Sequence, residues 1–219
     1  MAASRERRSG HFNSHQADAA PTLALEARVG IRRMLRVGVG AVLLCAGSAA
    51  YAEPIEDKAQ VCAACHGEKG LPTELSIPII WGQNAGYLYL QLRDFQKGAR
   101  NDKRMTPIAQ SVAKEDTLAL AEYFSVKPWP NTGAPAASKA DEVVAMTAIK
   151  SVVCASCHSN EFLGSSSIPR VAGQQRGYLL KTMTDFRNRT RANNPGMSDL
   201  MNSVTTEQVS AIAAYLAGL

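Results

Sequence analysis

The chain has 219 residues, 46% hydrophobic and 20% charged, enough for one or two globular domains. Its formal charge of +5 sits at the front: residues 1–52 hold seven Arg, no Lys and three acids, while residues 53–219 hold 17 Lys and Arg against 16 Asp and Glu. No basic patch interleaved with aromatics follows residue 52, so the basic balance gives no reason to expect a nucleic-acid partner.

The front reads as a targeting segment. Arg32, Arg33 and Arg36 precede an apolar run over 37–46, and small residues lead to Ala50-Tyr51-Ala52, an A-x-A pattern. This is the layout of a secretory signal peptide cleaved after Ala52, with an apolar core too short to span a membrane. Residues 1–33 are unusual ahead of such a segment, and Met34 is the more natural start. Cys45 lies inside the apolar run and would leave with it. The exported remainder, 53–219, keeps four cysteines and two histidines.

All six of those residues fall in two copies of one motif, Cys62-Ala63-Ala64-Cys65-His66 and Cys154-Ala155-Ser156-Cys157-His158. C-x-x-C-H is the attachment signature of c-type haem. Two thiols one helical turn apart can add to the two vinyl groups of one haem, and the following histidine is placed as an axial ligand. No cysteine pair is left for a disulfide, and no histidine is left as a catalytic base. Zinc is a poor alternative: the two pairs are 88 residues apart, against about 15–20 in zinc ribbons. A redox-active disulfide would want a thioredoxin-like sheet, and no alternating strand is apparent.

The motif belongs to a longer repeat. At an offset of 92, the cysteines and histidines pair. At 91, Pro78 pairs with Pro169, Gly82-Gln83 with Gly173-Gln174, Gly86-Tyr87-Leu88 with Gly177-Tyr178-Leu179, Asp94-Phe95 with Asp185-Phe186, and Arg100 with Arg191. The offset returns to 92 for Met105 and Met197 and for Tyr123 and Tyr215. The chain is therefore two copies of one domain, expected over 53–127 and 139–219. A Pro-rich linker over 128–138 joins them.

Each copy reads as helical. A first helix carries the motif, over 55–65 and over 141–157. A middle helix runs over 85–99, with Leu88, Leu92 and Phe95 on one face and Leu179, Met183 and Phe186 on its twin. A last helix covers 115–126 and 206–217. Domains this small bury a marginal core, and a haem filling it would supply the missing apolar contact.

The sixth iron position decides the chemistry: open, it invites oxygen or peroxide; closed, it leaves electron transfer. With no spare histidine, a methionine thioether is the expected partner. Met105 and Met197 each lie 39 residues after their histidine. Met183 matches Leu92 on a core face, Met146 has no counterpart, and Met201, matching Ala109, is the one serious rival. The expected axial pairs are His66 with Met105 and His158 with Met197, with covalent attachment at Cys62, Cys65, Cys154 and Cys157. Pro78 and Pro169 could offer carbonyls to the histidine ring N–H. Arg100 and Arg191 could pair with propionates or be solvated, and Trp81, opposite Ala172, has no evident role.

Two C-x-x-C-H domains, P-x-x-x-G-Q before a Tyr-Leu helix, and a lone Met before a last helix resemble the cytochrome c4 family of tandem diheme class I cytochromes c. The resemblance covers 53–219. It implies an all-α fold of two tandem class I cytochrome c domains about a pseudo-twofold axis, with haem propionate edges close together. It implies two covalently bound haem c groups and a periplasmic carrier, soluble or loosely membrane-attached. That carrier would move single electrons from a quinol-oxidising complex to a terminal oxidase, with no small-molecule substrate. Ile80-Trp81-Gly82 departs from the more usual pattern seen at Val171-Ala172-Gly173. A haem subunit of a larger dehydrogenase or oxidase is the alternative; a diheme peroxidase, an enzyme, would need a distal group that is missing.

Overall fold

The computed structural model describes residues 53–219. The leader, its cleavage point after Ala52 and the start at Met34 lie outside the described residues. The first half contains α1 (Ile55–His66), α2 (Ala85–Gln96), α3 (Met105–Ser111) and α4 (Asp116–Ser125). The second contains α5 (Lys139–Ser151), α6 (Ala155–His158), α7 (Arg176–Arg187), α8 (Pro195–Asn202) and α9 (Thr206–Ala217). Among the described residues the only strand-like pairing is an isolated bridge between Ser165 and Ile168.

The two halves repeat one packing scheme. α4 packs on α1 and α2, and α3 closes against α2; likewise α9 packs on α5 and α7, and α8 closes against α7. The first core gathers Ala59, Leu88, Leu120, Ala121 and Phe124. The second is larger, and its α5–α9 contact is lined with small residues, Ala145, Ala148, Ala213 and Ala217, which let two helices approach closely. No helix among the described residues is long and apolar enough to cross a membrane. Residues 128–138 have no regular secondary structure, and Trp129 there stacks beneath the Arg170 guanidinium at 4.3 Å.

Three local features differ from the periodicity reading. The single helix expected over 141–157 is two: the ladder breaks at Val152–Cys154, with Val153 at φ 51 and the Cys154 N–H reaching back to Ile149. Two adjacent β-branched valines are weak helix formers and mark that break. The helix expected over 85–99 stops at Gln96, because Gly98 turns the chain at φ 73. The short helices α3 and α8 were not anticipated. For α8 the cue was present: Asn194 caps it through the Met197 N–H, and Pro195 fills its first turn.

Candidate haem-binding sites

Each motif ends a helix, so its histidine projects from the last turn into the space between helices. His66 is 8% exposed, and its Nδ1 bonds the Pro78 carbonyl at 2.7 Å. His158 makes the matching bond to the Pro169 carbonyl at 3.1 Å. A carbonyl can only accept, so each Nδ1 carries the proton and each Nε2 is left as the free ring donor atom. Burial holds both imidazoles below the ordinary histidine range, and the proline carbonyls only partly oppose it. Both rings are therefore neutral at physiological pH, the form that binds iron.

The four thiols are unpaired by disulfides: Cys62 is buried, Cys154 half-buried, and Cys65 and Cys157 are exposed. Burial, then the neighbouring Cys65, pushes the Cys62 thiol up to about 11, which is unlike the low-pKa thiolate of a redox-active pair. Among the described residues no three His, Cys, Asp or Glu side chains gather as a metal site.

A continuous cavity of about 550 Å³ runs between the helices of both halves, and Cys62, Cys65, His66, Cys154, Cys157 and His158 all line it. Met105 and Met197 line it too, each held in the same way. The Met105 N–H bonds Asp102 Oδ1 and the Met197 N–H bonds Asn194 Oδ1, both at 3.1 Å. Met146 is 47% exposed and lies away from the cavity. Met183 and Met201 reach the wall as members of the second core. The remaining lining is mainly aliphatic and aromatic, including Leu88, Leu120, Phe124, Leu179 and Leu216. A thiol pair, a neutral imidazole and a thioether around an apolar slot form a donor set that suits a covalently held haem.

Arg100 and Arg191 line the cavity and lean over Phe95 and Phe186, at 4.5 and 4.3 Å. Arg191 is buried and Arg100 half-buried. Arg100 donates to Tyr178 at 3.1 Å and Arg191 to Tyr87 at 3.3 Å, so each arginine reaches the tyrosine of the other half. Trp81 gains a packing role: a Cβ at Gly70 would lie 2.5 Å from its ring, so the indole seals the loop after the first motif. Residue-by-residue reading gave no role to Gln83 and Gln174, which are 3% and 2% exposed; their recurrence in the repeat was the available signal.

Two motif-bearing helical domains around one apolar cavity define a diheme c-type cytochrome. No family model matches the chain. It is 31% identical over 196 residues to a cytochrome c4 of Pseudomonas aeruginosa, covering 85% of this chain and 96% of that one. It is 33% identical over 172 residues to a thiosulfate dehydrogenase electron acceptor of Stutzerimonas stutzeri, covering 74% and 80%. The solved structure of Acidithiobacillus ferrooxidans cytochrome c4 superposes with a TM-score of 0.67 at 29% identity, covering 73% of this chain and 99% of that chain.

The chain belongs to the cytochrome c4 family. It is an electron carrier built as two tandem class I cytochrome c domains, with two covalently bound haem c groups.

Proposed function

We propose that this protein is a periplasmic shuttle carrying single electrons from a quinol-oxidising complex to a terminal oxidase. In this reading residues 1–52 direct export and are cleaved after Ala52, and the carrier is soluble or loosely membrane-associated. The haem domains occupy 53–127 and 139–219, joined by the linker at 128–138. Cys62 and Cys65 would hold one haem covalently, with His66 and Met105 as the axial donors to its iron; Cys154, Cys157, His158 and Met197 would do the same for the other. When bound, the two haems supply reversible one-electron storage at iron.

The chain's own residues do the rest. The carbonyls of Pro78 and Pro169 fix each imidazole and its tautomer. Asp102 and Asn194 tie down the backbone at each methionine. The aliphatic wall excludes water. The observation that carries the reading is the pair of neutral, carbonyl-anchored imidazoles facing one cavity, with Met105 and Met197 as matched thioethers on its wall.

The holoprotein should show the charge-transfer band of sulfur-ligated ferric haem. It should be reduced by membranes containing a quinol-oxidising complex and reoxidised by membranes containing a terminal oxidase. Failure of both exchanges would overturn the reading. Two relatives are named as thiosulfate dehydrogenase electron acceptors, and this favours a second reading, that of a haem subunit serving a dehydrogenase. Rapid reduction by such an enzyme with thiosulfate, without exchange with the membranes, would select it.

A further inference from the structure

The bond that fixes each imidazole does not end at the proline. The Pro78 carbonyl and the Ile79 N–H are the two ends of one planar peptide unit. The carbonyl accepts from His66 at 2.7 Å. The N–H donates at 2.8 Å to Oε1 of Gln174, which stands 95 residues away in the other domain. Gln174 Nε2 then donates to the Ile79 carbonyl at 3.0 Å, so the amide grips Ile79 at both ends. Only one orientation of the amide pairs a donor with an acceptor on both sides.

The repeat makes the same arrangement in reverse. His158 bonds the Pro169 carbonyl, and the N–H of that peptide, on Arg170, donates at 2.8 Å to Oε1 of Gln83 in the first domain. Gln83 Nε2 donates to the Arg170 carbonyl, again at 2.8 Å. Both glutamines are held by the next residue in sequence, Asn84 or Gln175, whose N–H bonds the same Oε1 at 2.9 Å. Those neighbours also cross: Asn84 reaches the Ile168 carbonyl and Gln175 the Pro72 carbonyl. The glutamines are almost fully buried, so water does not compete for these bonds.

We propose that Gln83 and Gln174 are positioning residues for the histidine of the opposite domain, so that each haem's potential is set partly from across the interface. The proposal rests on His66 and His158 being axial ligands. A peptide whose N–H is bonded has a stronger carbonyl acceptor, because hydrogen bonds in a chain polarise one another. A stronger acceptor on Nδ1–H makes the imidazole a better electron donor and favours ferric iron. Removing the glutamine amide weakens the acceptor and raises the potential of the haem in the other domain.

The test uses the full-length exported holoprotein with Gln174→Met, close in volume but without the amide, and its mirror, Gln83→Met. Each haem is followed in a redox titration by NMR, identified by contacts from its thioether groups to Ala63-Ala64 or to Ala155-Ser156. Gln174→Met should raise the potential of the haem at Cys62 and Cys65 by at least threefold in the one-electron equilibrium constant, about 28 mV at about 59 mV per decade. The haem at Cys154 and Cys157 should change by much less, and Gln83→Met should give the mirror result. Gln174→Leu, which likewise lacks the amide, gives the same readout if a methionine variant fails to accumulate.

A shift confined to the variant's own domain, an equal shift of both haems, or no shift overturns the relay while leaving the axial ligands in place. If the wild-type spectrum lacks two histidine-ligated haems, the ligand reading and the relay fall together.

Discussion

Gly86, Gly177 and Gly196 each stand second in their helix, α2, α7 and α8, and none has a positive φ. Replacement by alanine therefore carries a similar intrinsic gain at all three, up to about 1 kcal/mol. Their surroundings differ. A Cβ on Gly177 would lie 2.8 Å from the Leu75 carbonyl oxygen and 3.0 Å from its carbon, both backbone atoms of the other domain's loop. A Cβ on Gly196 meets nothing nearer than Asn194 Oδ1 at 3.4 Å, an ordinary contact. The Leu75 loop would have to withdraw by roughly 0.6 Å to reach that same limit.

That loop also carries the Pro72 carbonyl bonded to Gln175 and leads directly into Pro78. Overpacking of this kind costs about 1–3 kcal/mol, so the clash outweighs the helix gain. Gly196→Ala should be neutral or slightly stabilising, and Gly177→Ala should be less stable than it by about 2 kcal/mol. For a chain of this size that is about 4–8 °C in melting temperature. Thermal unfolding of the two holoproteins under one protocol measures the difference directly. Melting temperatures that coincide would refute the claim that the domains touch backbone-to-helix at Gly177.

Three further outcomes are expected. Met105→Ala should lower the potential of one haem only, by loss of the thioether; a redox titration with both haems unchanged would show the ligand to be elsewhere. Leu120→Ala empties a site 2% exposed against the first cavity and should cost about 2–5 kcal/mol, while Leu118→Ala, at a site 50% exposed, should stay within about 0.5 kcal/mol; chemical denaturation separates them. Thr205→Ala removes half of the capping box that starts α9 and should cost about 1 kcal/mol, read by the same denaturation curves.

What the sequence disclosed follows from which physics is local. The motif, the 39-residue spacing from histidine to methionine and the apolar stripes of α2 and α7 are properties of single segments. Each could be read without knowing the fold, as could the helical character of both halves and the start of α9. Pro78 and Pro169 were legible as acceptors because a histidine ligand needs one and the following loop is the nearest source. The break at Val152–Cys154 is masked in the sequence because helical periodicity continues through it; the two adjacent valines are the only local cue, and Val153, 60% exposed, shows no burial that would mark it. The short α3 and α8 were missed because one or two turns hold too few apolar positions to show a period.

The partners of Arg100, Arg191, Gln83 and Gln174 were illegible for a different reason. An internal repeat shows that two positions are equivalent but not which copy each one serves. A side chain that bonds within its own domain and one that bonds across a twofold axis leave the same mark in the sequence, a residue occurring twice. Only the fold distinguishes them, and here it places both arginine–tyrosine pairs and both glutamine clamps across the boundary. Such contacts explain why the tandem arrangement matters physically. A single domain cut from this chain would keep its cysteines, histidine and methionine but lose the amide behind its histidine's carbonyl and the arginine partner of its half-buried tyrosine. The two halves are thus not independent beads on a string: each completes the polar surroundings of the other's site.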